Sequence, residues 1–219
     1  MGQHFINRQL NACNAIEIQF DASILDPLIA VYSCGLGDSY YKLNPHWPSD
    51  IRWISNNNRE SYDLFSKAFK DMKIESIMNK FIAHENNLTM YCGFFVTRST
   101  CSSVNMHTDW PGGNNDGFTL ITPLIHPAGS SNLVYLDLDK QQRTYKYELG
   151  KALNFGANFL HSTEVGRSDS PTVLLSITYG TDMMELWKPN YRIVDPNSLF
   201  YRLPNGCFVD KNNHSRSLM

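Results

Sequence analysis

The sequence has no surplus of positive charge, no long apolar run and no paired cysteine motif. Nineteen Lys+Arg stand against 21 Asp+Glu, a formal net charge of −2 with His neutral. Without a basic excess there is nothing to hold phosphate backbones, which disfavours a dedicated nucleic-acid binder and a polybasic membrane anchor alike. No apolar stretch approaches the roughly 18 residues of a membrane span. The opening MGQHFINRQLNACN lacks the basic-then-apolar order of a secretory signal, and Ile6 stands where a myristoylation pattern wants Ser or Thr. The five cysteines, Cys13, Cys34, Cys92, Cys101 and Cys207, are odd in number and form no CxxC pair. They are poor material for a disulfide framework or a thiolate zinc site and read as small, partly buried hydrophobes. Internal repeats and low-complexity segments are missing too. Together these absences lead to the expectation of a cytoplasmic protein with no nucleic-acid or membrane partner.

What is present suffices for a packed core: 42% of the 219 residues are hydrophobic and 18% charged. A single domain over 1–219 is expected. Its parts are an N-terminal helical and loop region over 1–87, a β core over 88–182 and a C-terminal extension over 183–219. Residues 1–58 show only a short apolar element (Leu25, Leu28, Ile29, Val31), broken at Gly35-Leu36-Gly37-Asp38. Residues 59–82 predict a helix: Tyr62, Phe65, Phe69 and Met72 recur at three and four, Ile74, Ile77, Met78, Phe81 and Ile82 continue the stripe, and Asn56 to Asn58 offer a cap.

From Leu88 the character changes to short runs of Val, Ile, Thr, Tyr and Phe between turn residues. Strands are predicted near 88–98, 103–108, 118–125, 131–137, 143–148, 152–155, 158–164 and 172–180. Loops are expected at Pro111–Gly117 and Pro127–Ser131, a turn at Gly166–Pro171, and a loose polar tail from Pro204. Eight short strands after a helix fit a two-sheet sandwich or jelly roll.

One constellation can carry chemistry. In His107-Thr108-Asp109, two residues apart on extended backbone, an imidazole and a carboxylate share a face. Seven His and 14 Asp in this length give about 0.45 such triplets by chance, so the triplet alone carries little. Its context adds weight: it ends a predicted strand, precedes a Gly-rich loop, and is separated by several strands from His161, itself in a predicted strand. Two His and one carboxylate with open positions left on the metal form the facial triad of non-haem iron oxygenases.

The stretch from Asn105 to Tyr179 resembles the core of the Fe(II)/2-oxoglutarate-dependent dioxygenases. The resemblance is carried by Met106-His107-Thr108-Asp109-Trp110, by Phe155-Gly156-Ala157-Asn158-Phe159-Leu160-His161-Ser162-Thr163-Glu164 and by Leu175-Ser176-Ile177-Thr178-Tyr179. It implies a mainly β fold with flanking helices around a double-stranded β-helix, a jelly-roll and cupin-like core. It implies Fe(II) held by His107, Asp109 and His161, with Phe155–Asn158 as the turn that delivers the distal His. It also implies 2-oxoglutarate as co-substrate, O2 as co-reactant, and oxidation of a small-molecule or amino-acid-like substrate by hydroxylation, desaturation or ring closure. The family anchors the distal carboxylate of 2-oxoglutarate on a basic residue, often an Arg two positions before a Ser. Here Ser176 fits, but Leu174 stands in the Arg position. Arg167, then Arg98, are the candidates that remain, because a guanidinium–carboxylate pair is what the chemistry requires. Thr122 and Tyr135 are further candidates for the co-substrate, and Asn105 and Trp110 for the substrate. Tyr40, Tyr41, His46 and Trp47 suit a substrate mouth or simple packing. His126 reads as structural, and Glu164 points away from His161. The absence of Arg at 174 keeps open a cupin-like metalloenzyme without 2-oxoglutarate. A non-catalytic β-sandwich that binds a ligand is the other alternative.

Overall fold

The structure is a computed structural model that describes residue 10 and residues 13–35, 41–43, 47–113 and 115–211, with backbone only for 41–43. In chain order its elements are β1 (Ala15–Gln19), a 3-10 turn (Ala22–Leu25), α1 (Asp26–Ser33), β2 (Tyr41–Leu43), β3 (Arg52–Ser55), α2 (Arg59–Asp71), α3 (Glu75–Met78), β4 (Thr89–Cys101) and β5 (Gly117–Ile125). Then follow β6 (Leu133–Leu136), β7 (Gln142–Tyr145), β8 (Lys151–Phe155), β9 (His161–Thr163), β10 (Gly166–Gly180), α4 (Met184–Asn197), β11 (Phe200–Arg202) and β12 (Phe208–Asp210). The strands form a seven-stranded antiparallel sheet, β1-β8-β5-β10-β4-β3-β2, a three-stranded sheet, β7-β6-β9, and a β11-β12 hairpin.

Side-chain alternation on the central strands sorts the core into two layers. On β10, Val173, Leu175, Ile177 and Tyr179 join Phe95, Leu120, Phe65 and Phe69 in the layer under α1 and α2. Leu174 of the same strand joins Phe94, Val96, Leu133, Tyr135, Phe155 and Phe159 between the two sheets. β4 is buried over almost its whole length because it is flanked by β10 and β3 and covered on both faces. Its Gly93 lets α2 come close: a Cβ there would stand 2.4 Å from the Phe65 ring.

Several expectations are corrected. The residues around 103–108 form no strand; His107 alone makes a bridge, to His161. Gly166–Pro171 is no free turn but the start of β10, where the register to β4 slips between Arg167 and Thr172. The helix predicted over 59–82 breaks after Asp71, where Lys73 takes φ 55°, and resumes only as α3. The N-terminal region adds more than helix and loop, since β1 pairs with β8 and β3 with β4 in the main sheet. The segment after Pro204 is not loose through residue 211: β12 pairs with β11, and Phe208 stacks on Phe200. Leu36, Gly37, Asp38, Tyr40 and His46 lie outside the described residues.

Candidate metal centre

The two sheets face each other across a cleft, and the His pair sits where they meet. His107 and His161 are directly opposite, each backbone N–H donating to the other's carbonyl at 2.9 and 3.0 Å. Opposed residues of an antiparallel pair present their side chains on one face, and the ring centroids lie 4.6 Å apart. Each Nδ1 is within hydrogen-bond distance of a carbonyl two residues earlier, His107 to Asn105 at 2.8 Å and His161 to Phe159 at 3.0 Å. A carbonyl only accepts, so each Nδ1 carries the proton and each Nε2 presents a lone pair. Asn158, at φ 69°, turns the chain between Phe155 and His161, so the Phe155–Asn158 segment does lead the chain into β9.

Asp109 is held by a short relay. Trp110 Nε1 donates to Thr119 Oγ1 at 3.0 Å, and Thr119 Oγ1 donates to Asp109 Oδ2 at 2.9 Å. This fixes one carboxylate oxygen and leaves Oδ1 turned to the imidazoles. Oδ1 lies 3.6 Å from Nε2 of His107 and 3.6 Å from Nε2 of His161. That is too long for hydrogen bonds. It suits donors that share one ion, because metal bonds of about 2.0–2.2 Å keep two ligands within roughly 4.4 Å. Among the described residues these three are the group whose donor atoms converge, all within 4.8 Å of one another. Burial pushes the His161 imidazole below its ordinary pKa, the Asp109 carboxylate opposes this, and His107 reinforces it. The shift favours the neutral ring, the form that ligates.

The inner cleft beside the triad, about 70 Å³, is lined by Arg98, Thr119, Ile121, Leu133, Tyr147, Phe155, Ser176 and the triad itself. Arg98 is only 6% exposed, yet its Nε and one Nη have no hydrogen-bond partner. A buried guanidinium left in this state costs several kcal/mol unless an anion meets it. Its charge sits 5.8 Å from the Tyr147 ring centroid, and burial pushes the Tyr147 hydroxyl up while Arg98 opposes. An adjoining chamber of about 390 Å³ shares Trp47, Trp53, Thr119, Ser176, His107 and Asp109 with the cleft.

The other expected site residues divide. Ser176 faces the cleft, and Trp47 stands at its mouth. Arg167 is exposed at the start of β10 and lines neither cavity, because the strand continues where a turn was expected and carries it outward. Thr122 falls on the helix-facing side of β5 by alternation, and its hydroxyl donates to the Lys151 carbonyl at 2.7 Å. Tyr135 packs on Phe159 between the sheets, with ring centroids 5.6 Å apart. The Asn105 side chain lines neither cavity: its carbonyl orients His107, and its N–H donates to the Ser162 hydroxyl. Trp110, 1% exposed, lines the outer chamber and also steadies Thr119. Glu164 turns to Asn132, and Nδ1 of His126 is buried without a partner. Thr119, Tyr147 and Arg192 were not singled out from sequence; the signal available for Thr119 was its phase on β5, one residue off the helix-facing series.

The sequence matches no protein-family model and no curated protein sequence. Solved structures do resemble it. The non-heme alpha-ketoglutarate-dependent epimerase SnoN from nogalamycin biosynthesis superposes with TM-score 0.62 at 10% identity, over 80% of this chain and 81% of that one. HygX from Streptomyces hygroscopicus, solved with nickel and 2-oxoglutarate bound, gives 0.58 at 12% identity over 81% and 87%. A Pseudomonas putida prolyl-4-hydroxylase gives 0.57 at 11% identity over 80% and 96%. At these identities the likeness establishes the fold, a double-stranded β-helix.

Proposed function

We propose that this protein is a non-haem Fe(II) oxygenase that uses 2-oxoglutarate and O2 to oxidise a small-molecule or amino-acid-like substrate. One observation carries the reading: two imidazole lone pairs and one carboxylate oxygen converge beside a buried guanidinium whose Nε and one Nη have no hydrogen-bond partner. His107 Nε2, His161 Nε2 and Asp109 Oδ1 hold the ion, leaving its other positions open. When bound, iron and 2-oxoglutarate supply the oxidative decarboxylation that activates O2. The chain's own part is to hold and exclude. Thr119 keeps Asp109 in one rotamer, the Asn105 and Phe159 carbonyls keep both imidazoles in one tautomer, and Phe155 and Ile121 keep water from the cleft. Arg98, which lines the cleft together with Ser176, takes the distal carboxylate of 2-oxoglutarate. The fold relatives include an alpha-ketoglutarate-dependent epimerase and a protein solved with 2-oxoglutarate bound, which supports the assignment.

The assignment is tested by calorimetric titration of 2-oxoglutarate into Fe(II)-loaded protein without oxygen. Arg98→Ala is expected to weaken binding by about 10- to 100-fold, the worth of a charge-assisted bidentate pair. Arg167→Ala is expected to leave it unchanged. Unchanged binding in Arg98→Ala would remove Arg98 as the anchor, and wild type that takes up Fe(II) but no 2-oxoglutarate would favour a metalloenzyme that does not use it.

A further inference from the structure

The outer chamber is large enough for a small molecule. Its floor next to the triad is aromatic: Trp47 and Trp53 meet edge to face at 4.8 Å, and the Trp47 ring lies 4.8 Å from the His107 ring. Phe94, Ile193 and Val194 extend the apolar wall. Among the described residues, one charged side chain beyond the triad lines the chamber, the exposed Arg192 of α4. It makes no ion pair among the described residues; Asp195, the acid on the same helix nearest in sequence, is engaged by Lys211 and Tyr201.

Charge then argues for the complement, and here the inference rests on the iron and 2-oxoglutarate reading above. The two positive charges of a ferrous ion and the one of Arg98 meet the Asp109 carboxylate and both carboxylates of 2-oxoglutarate. The inner cleft is thus neutral when loaded. Among the described residues, the solvent-exposed Arg192 is then the charge of the chamber left without a carboxylate, and its planar guanidinium suits an anion. We infer that the substrate is a small organic acid, with an aromatic or apolar body against Trp47 and Trp53 and an anionic group, carboxylate or phosphate, paired with Arg192. The body then lies next to the metal and the anion lies away from it, so the position oxidised belongs to the apolar part.

The probes are 3-phenylpropionate, 2-phenylethyl phosphate and the uncharged 3-phenylpropionamide. Each is titrated calorimetrically into protein loaded with redox-inert Zn(II) and saturating 2-oxoglutarate, after a first titration has measured binding of the metal and the co-substrate. At least one anion is expected to bind about tenfold more tightly than the amide, and the tighter of the two tells carboxylate from phosphate. Arg192→Ala is expected to erase that preference and Arg192→Lys to restore part of it. Equal binding of acid and amide, no binding of any probe, or a preference that survives Arg192→Ala overturns the inference while the metal-centre reading stands. Failure of Zn(II) or 2-oxoglutarate to bind in the first titration overturns the metal-centre reading, and this inference with it.

Discussion

Asp109 depends on a neutral hydroxyl. Thr119 occupies one of its oxygens, and Trp110 in turn occupies Thr119, so the other oxygen is available to an ion in a single orientation. Loss of such a partner commonly lowers metal affinity 10- to 100-fold. Thr119→Val is expected to do so in a competitive Zn(II) titration with the fold intact by circular dichroism, and Thr119→Ser to recover most of it. Gly117→Ala should act on the same relay from behind, since a Cβ there would stand 2.4 Å from the Trp110 ring. The His-x-Asp triplet and His161 were legible because ligand chemistry is written in residue types and spacing. Arg98 against Arg167 was not. That choice turns on which of two arginines, far apart in the chain, faces the cleft: Arg98 shares the face of Phe94 and Val96 on β4, while Arg167 is exposed at the start of β10.

At the scale of elements, α2 shows how local and tertiary signals agree. The Asn58 side chain accepts from the Ser61 N–H at 2.8 Å, and the Ser61 hydroxyl oxygen accepts from the Asn58 N–H, closing a capping box. Asn58→Ala is expected to cost about 1 kcal/mol, roughly 2–4 °C in Tm for a chain of this size. The opposite face of the helix presses Phe65 onto Gly93. Gly93→Ala overpacks this contact and should cost about 1–3 kcal/mol in thermal unfolding. The start of α2 was legible from its periodicity and its asparagines. Its end was not, because the apolar stripe runs on to Ile82 while the backbone breaks at Lys73. β1 and β3 were illegible for a different reason: each is short, and it is the pairing with β8 and β4 that makes it a strand.

The described residues build a seven-stranded sheet, a three-stranded sheet and a hairpin, with carboxylates tying loops to strand ends. Burial raises the Asp182 carboxyl, but the N–H groups of Glu85, Asn86 and Asn87 together outweigh it and hold the pKa below the usual range. Asp50 is likewise raised by burial and lowered further by the Thr100 and Ser99 N–H groups. A depressed folded pKa stabilises fully above the unfolded value of about 3.9 and is lost as pH falls through the folded value. Unfolding free energy should therefore drop on acidification below about pH 4, and Asp182→Asn should flatten that limb; solvent screening keeps the single-site effect near about 1 kcal/mol. Among the described residues no helix is long and apolar enough to cross a membrane.

The proposed chemistry requires His107, His161 and Asp109 to bind one ferrous ion together with a keto acid. The most direct measurement is the visible spectrum of oxygen-free protein with Fe(II) and 2-oxoglutarate. Wild type should show the weak metal-to-ligand charge-transfer band of the chelate, and Asp109→Ala should lose it. A band of equal strength in Asp109→Ala, or wild type that takes up Fe(II) and shows none, would contradict the account.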